Sequence, residues 1–413
     1  MWQAILHPNM IHTLALAGLV LFLGYGLRRL IPFLSRYNLP APVVGGLVVA
    51  LLTLLARQAG LPLPQFDTTL RDPLMIAFFT SVGFGASLKL LKRGGPQVAL
   101  FFLVAVVFAA LQNLVGILAV LPFGLPPLLG VLCGSVTLTG GPATGLAFAP
   151  EFAKAGIPGA AGLAVAAAMF GILTGGLLGS PLATALVERA HRHPRHGRKQ
   201  IVPHSGTEAA ERSLPAEHAT APVSEDAGAF QLLKSCVVIL CCMWLGAGVS
   251  HLMTSWGLTL PAYIGAMVVA ALVRNLDDWT GALKLSQRMI DDIGYVALSL
   301  FLALALMTLR LWELAGLVLP LVVVLAAQVV LIAVACRTLV FRVMGGDYDA
   351  AVMSGGFVGF MLGTMANAMA VMEALVERYG KAPRAYLVVP IVGVFFIDFA
   401  NAFLITVLLN VLR

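Results

Sequence analysis

Ten runs of apolar residues, each long enough to cross about 30 Å of hydrocarbon, dominate this chain. They lie at roughly 11–34, 40–58, 72–91, 97–121 and 159–188, and again at 230–253, 260–274, 290–309, 314–343 and 384–411. Lipid offers a backbone amide no partner, so such runs must cross as helices that bond internally. The expected fold class is an all-α polytopic membrane protein with about ten transmembrane helices in the lipid bilayer. Charge agrees, because only 11% of residues are Asp, Glu, Lys or Arg, against about 25% in soluble domains.

Lys and Arg number 26 against 19 Asp and Glu, a formal charge of +7. In a soluble protein this balance would raise nucleic acid as a partner. Between membrane spans it reads as basic residues held in cytoplasmic loops, and no nucleic acid is implied. The first residues, MWQAILHPNMIHT, lack the basic stretch of a cleaved signal, so the first run is expected to stay as a span. Cys133, Cys236, Cys241, Cys242 and Cys336 all lie in apolar segments without metal-ligand spacing and are expected to behave as small buried hydrophobes.

Between the fifth and sixth runs the composition changes. Residues 190–229 are rich in His, Arg, Pro, Ser and Glu, and the stretch cannot bury an apolar face. It is expected to be a disordered cytoplasmic linker. Its histidines, His191, His193, His196, His204 and His218, belong to a solvated basic tract rather than to a metal site, since nothing there fixes ligand geometry.

Two further apolar segments, about 128–150 and 350–372, are interrupted by glycines and small polar residues. The first contains GSVTLTGGPATG, residues 134–145, too breakable for a plain span and too apolar for a solvent loop. The halves of the chain also echo each other. LPAPVVGGLVVALL (39–52) and LPAYIGAMVVAALV (260–273) match at about six of fourteen positions, offset by about 221 residues. The same offset superposes Lys89 on Arg310, Gly95 on Gly316, and the first broken segment on the second. The chain is thus expected to hold two repeats, 1–189 and 230–413, each with five spans and one broken segment.

Five is odd, so the repeats must enter the membrane in opposite directions. With the broken segments as re-entrant hairpins, and the loop after the first span inside, the outer side keeps only Arg57, Arg71, Lys154, Arg310 and Arg413 of the 26 basic residues. That asymmetry obeys the positive-inside rule. Both termini are then outside, and the hairpins dip from opposite faces.

Non-helical backbone at membrane depth must be buried in protein or line a wet cavity. Helix N-termini favour an anionic group, and unwound carbonyls with hydroxyls favour a small hard cation. The residue types that chemistry needs are Ser135, Thr137, Thr139, Gly140, Gly141 and Thr144 in one segment, and Gly363, Thr364 and Asn367 in the other. Asp398 is the deepest acid of the chain, and Asn401, one turn on, shares its helix face. Na⁺ near Thr144, Asp398 and Asn401 is one expectation; a proton relay or a structural carboxylate is the other. Close packing through small residues, with each Thr bonded to its own helix, is the plain alternative for the hairpins. Gln112, Asn113 and Gln328 read as glue between helices, and Arg71–Asp72 as an interfacial ion pair.

RDPLMIAFF (71–79), QN (112–113), SLFLALALMTLRLWELA (299–315), YDAAV (348–352), VERYG (376–380) and LVVPIVGVFFIDFANA (387–402) resemble the bacterial sodium/glutamate symporters. The resemblance covers all but the linker. It implies a ten-span inverted-repeat secondary transporter of the inner membrane with two re-entrant hairpins, periplasmic termini and a homodimeric assembly. It also implies Na⁺-coupled uptake of L-glutamate or a related carboxylate, with a hairpin-bearing domain moving elevator-fashion against a dimeric scaffold. Both tips depart from the family pattern. Its first tip, Ser-Gly-Gly-His-Gly-Thr, falls on Thr139 to Thr144 without the His, and in the second segment its His and its Thr-Pro-Thr fall on Phe357 and on Met365 to Asn367. A transporter of a different organic anion, with H⁺ or no cation coupling, is therefore the alternative. An enzyme is not expected: aspartyl cleavage needs two facing carboxylates, and only Asp398 is deep.

Overall fold

The computed structural model describes residues 7–192, 225–255, 261–314 and 318–412. Residues 193–224, most of the expected disordered linker, lie outside them; its described ends, 190–192 and 225–229, are instead helical and extend the neighbouring apolar helices. No strand occurs among the described residues. Fifteen helices are labelled here in chain order. The first half has α1 (Met10–Leu30), α2 (Ala41–Gln58), α3 (Arg71–Gly85), α4 (Leu88–Val120), α5 (Pro127–Val131), α6 (Gly141–Lys154) and α7 (Ala160–Arg192). The second has α8 (Glu225–Ser255), α9 (Ala262–Thr280), α10 (Gln287–Met307), α11 (Val318–Ala335), α12 (Tyr348–Met361), α13 (Met365–Tyr379), α14 (Pro383–Pro390) and α15 (Ile397–Val411).

Among the described residues, nine helical stretches are long and apolar enough to cross a membrane, matching nine of the ten expected runs. The tenth, α9, has 19 residues but ends in Arg274, Asp277 and Asp278. Large apolar side chains such as Phe22 and Trp244 point outward, as lipid-facing positions would. Three of the five cysteines are buried as expected, whereas Cys241 is exposed.

Several elements recur at one spacing. The helices α2 and α9 start 221 residues apart, each behind an extended proline, Pro40 (φ −60°, ψ 132°) and Pro261 (φ −56°, ψ 145°). The broken segments also start 221 residues apart, at Pro127 and Tyr348. Neighbours recur too. The helices pack as two groups, α1, α2, α3, α8, α9 and α10 in one, and α4 to α7 with α11 to α15 in the other. Within the first group α3 lies on α9 as α10 lies on α2, and α3 meets α10 between them.

Small residues set the spacing of that group. A Cβ on Gly24 would fall on the Ala41 carbonyl, and one on Gly45 on the carbonyl of Val20, so α1 and α2 cross with backbones in contact. The α8–α9 crossing repeats this, with Gly246 against Ala266 and Gly265 against Gly246.

Hydrogen bonds between the groups gather at the corner where α3 passes into α4. There Asn275 Nδ2 donates to the Ala86 carbonyl at 2.8 Å, and its Oδ1 accepts from the Leu88 amide at 2.8 Å. The Ser87 hydroxyl donates to Asp278. Eight residues after Ser87, Gly95 takes φ 69° and ψ −169°, a conformation costly for a residue with a side chain, and Pro96 follows. The turn launches the spanning part of α4. That helix packs on α12 through Phe101, Phe108 and Phe357, with ring centroids 6.1 and 5.6 Å apart and near-perpendicular planes.

Candidate functional site

The first broken segment descends as α5, widens into a π-type turn at Leu132–Val136, and carries a non-helical Gly134 (φ −98°, ψ −130°). Asn113 on α4 holds that break, its Oδ1 accepting from the Ser135 amide at 3.0 Å. Asn401 on α15 holds the same residue from the other side, donating from Nδ2 to the Ser135 carbonyl at 2.9 Å. The chain then turns through Thr139 and Gly140 into Gly141, whose φ of 67° suits a residue without a Cβ, and α6 departs with Pro142 in its first turn. Thr144 packs back over Gly140, where a Cβ would collide with its side chain.

The second segment is α12, a two-residue turn through Leu362 and Gly363, and Thr364 leading into α13. Thr364 is extended (φ −139°, ψ 164°) but its hydroxyl does not cap the helix. The first-turn amides of α13 are thus without side-chain help at a point where Ala366 is exposed. Asn367 donates from Nδ2 to the Ile172 carbonyl on α7 at 2.7 Å.

The two tips meet. A Cβ built on Gly141 would stand 3.7 Å from the Gly363 carbonyl oxygen and 3.9 Å from the Thr364 methyl. Two helix N-termini, those of α6 and α13, therefore start within one small region. Gln112 of α4 reaches both segments. Its Nε2 donates to the Met361 carbonyl at 2.8 Å, and its Oε1 accepts from the Thr139 hydroxyl at 2.6 Å.

Around the tips are buried oxygens with no hydrogen-bond partner among the described residues: Ser135 Oγ, Asn401 Oδ1, Thr364 Oγ1 and Asn367 Oδ1. A buried unpaired acceptor costs roughly 1–3 kcal/mol. Such atoms suit a cation or an ammonium group, and the free amides of a helix start suit a carboxylate. Asp398, a half-buried residue, lies one turn before Asn401 on α15, and its carboxylate makes no hydrogen bond or ion pair with the described residues.

The expected residues thus divide. Ser135, Asn401, Thr364 and Asn367 gather at the breaks with unpaired oxygens, and Gly140, Gly141 and Gly363 make the close approach possible. Thr137 is spent on its own helix, donating to the Leu132 carbonyl at 2.8 Å, as the plain alternative held. Thr139 is taken by Gln112. The described partner of Asn401 is Ser135 rather than Thr144, whose neighbour is Gly140. Among the described residues no cluster of His, Cys, Asp and Glu could hold a metal ion. The glue residues proved more closely tied to the tips than their sequence context suggested; uncharged amides in otherwise apolar spans were the only signal.

A cavity of about 310 Å³ separates the two groups of helices near the far end of α6, lined by Leu146, Ala149, Ala305, Arg71, Arg310 and Glu313 among others. A second, of about 630 Å³, lies beside it around Arg57 and Trp312, with the Arg57 guanidinium 4.1 Å above the indole ring. Neither reaches the tips.

Comparison with known proteins bears on this geometry. A family model described as sodium/glutamate symporter matches residues 6–381. The chain is 38% identical over 400 residues to a sodium/glutamate symporter of Escherichia coli K12, covering 97% of each chain. It is 39% identical over 396 residues to one of Haemophilus influenzae, covering 96% of each.

Proposed function

Since the chain belongs to the sodium/glutamate symporter family, we propose that it takes up L-glutamate or a related carboxylate together with Na⁺ by alternating access. A multi-pass membrane protein of this family is a transporter, not an enzyme. The observation that carries the reading is the meeting of the two broken segments, with two helix N-termini and four unpaired buried oxygens around it. An acidic amino acid presents carboxylates to the first and an ammonium group to the second. Na⁺ is a co-substrate on this reading. The oxygens of Ser135 and Asn401, with the Asp398 carboxyl one turn before Asn401 on the same helix, are the hard donors it prefers.

The two broken segments are re-entrant hairpins of two inverted repeats, 1–189 and 230–413. The 221-residue spacing of helix starts and the reciprocal packing of α3 on α9 and α10 on α2 support this. The protein sits in the bacterial inner membrane with periplasmic termini and a cytoplasmic linker, as the basic residues favour. The group holding α1–α3 and α8–α10 is the scaffold of a homodimer, and the hairpin group moves against it.

Counterflow in proteoliposomes with a panel of carboxylates, with and without Na⁺, tests the proposal. Na⁺-stimulated exchange of L-glutamate is the expected result; no Na⁺-stimulated uptake of any acidic solute would refute it. Thr144→Ala and Asp398→Asn should impair transport with folding and dimerisation intact, and wild-type uptake in both would refute the site. A second reading, another organic anion with H⁺ or no coupling, is favoured by one feature: Phe357 is fully buried among Phe101 and Phe108, leaving an apolar wall behind the second tip. The same panel decides between the two.

A further inference from the structure

Gln112 is completely buried, and three hydrogen bonds converge on it. Besides those to Met361 and Thr139, its backbone carbonyl accepts from Gln328 Nε2 of α11 at 2.6 Å. It reaches this position because α4 and α5 cross with backbones touching at Gly116 and Gly130, one turn further along α4. Met361 closes α12, so its carbonyl is one of the last four that a helix leaves without an internal partner. Thr139 stands two residues before Gly141. A single planar amide therefore ties the end of α12 to the tip leading into α6, donating to one and accepting from the other.

We propose that Gln112 is the positioning residue that fixes the separation of the two tips, and through it the affinity of the site between them. The part concerning affinity rests on the transport reading above; the part concerning separation does not. Few side chains can replace it. Glutamate keeps the acceptor for Thr139 but cannot donate to Met361 while ionised. Asparagine is one methylene short. Leucine keeps the bulk and loses both bonds, leaving the Met361 carbonyl buried and unpaired and the Thr139 hydroxyl with only its weak 3.8 Å contact to the Met361 Sδ.

The test has two arms. In proteoliposomes, Q112L should raise the KM for L-glutamate about tenfold, the scale of one lost buried hydrogen bond, with Vmax within about twofold. Q112E should fall between Q112L and wild type. Because Gln112 acts on the first tip through Thr139, Q112L/T139V should be no worse than Q112L alone. In the second arm, spin labels carried by unnatural amino acids at Ala143 and Ala366 report the tip separation. The distance distribution should be narrow in the unaltered protein and broader in Q112L and Q112E. Wild-type KM and tip spacing in Q112L would overturn the proposal; should Q112L fail to fold, the same result in Q112E would. If the protein transports no glutamate at all, the distance arm still decides whether Gln112 sets the spacing.

Discussion

Asn401 and Ser135 lie 266 residues apart in sequence, yet the side-chain amide of one bonds the main-chain carbonyl of the other at 2.9 Å. The bond fastens the last spanning helix to the break of the first interrupted segment. The Asn401 oxygen is left facing the same neighbourhood without a donor, alongside Ser135 Oγ. Asn401→Leu should therefore have two effects. Stability falls by roughly 0.5–1.5 kcal/mol, the net worth of one hydrogen bond, because the Ser135 carbonyl keeps its bond from the Gly140 amide at 2.9 Å. The Na⁺ concentration for half-maximal uptake rises as well. Thermal unfolding in detergent measures the first and uptake against Na⁺ concentration the second; an unchanged Na⁺ dependence would remove Asn401 from the ion site.

At the start of α12, Asp349 Oδ1 accepts from the amides of Arg384 and Ala385 at 3.0 and 3.2 Å, capping α14 from the neighbouring element. Asp349→Ala is expected to cost about 0.5–2 kcal/mol, the usual range for a lost helix cap. A lowered melting temperature with unchanged KM is the predicted pattern, since the cap lies at the opposite end of α12 from the tip.

The cavity lined by Ala305 and Leu146 lies between the two groups of helices. If the groups slide past each other, that space must change shape. Ala305→Trp should reduce turnover several-fold and leave L-glutamate binding, read by thermal shift, nearly as it was. Wild-type turnover in a folded Ala305→Trp protein would contradict the motion.

Gly24 meets the Ala41 carbonyl with no space for a Cβ. Gly24→Val should cost more than the 1–3 kcal/mol typical of overpacking, because a main chain rather than a flexible side chain must yield. Size-exclusion profiles of the membrane extract would show aggregated protein; a monodisperse peak of wild-type melting temperature would disprove the contact.

What could be read from the chain follows from the range of the forces involved. Spans were legible because burial in lipid acts on every residue of a run, and the broken segments because glycine, proline and threonine act locally. The run at 72–91 shows the limit. It reads as one span, and Arg71–Lys92 is long and apolar enough to be one, yet its helix breaks after Gly85, where Asn275 and Asp278, nearly 200 residues on, claim the backbone and hydroxyl of Ala86–Leu88. Likewise the runs 314–343 and 384–411 hide widened turns at Cys336–Val340 and Ile391–Phe396. At the site, hydroxyl-bearing residues could be named but not assigned. Thr137 and Ser135 look alike in sequence; only the fold shows that one hydroxyl is satisfied by its own helix and the other by nothing described.

The paired glycine crossings of α1 with α2 and α8 with α9 carry a mechanical implication. Lipid exerts no hydrophobic squeeze on helix pairs, so their grip comes from shape alone. Where main chain rests on main chain, no rotamer change can absorb a displacement. These two pairs are the stiff struts of the molecule, and any working stroke has to be taken up in the softer, side-chain-filled seams elsewhere.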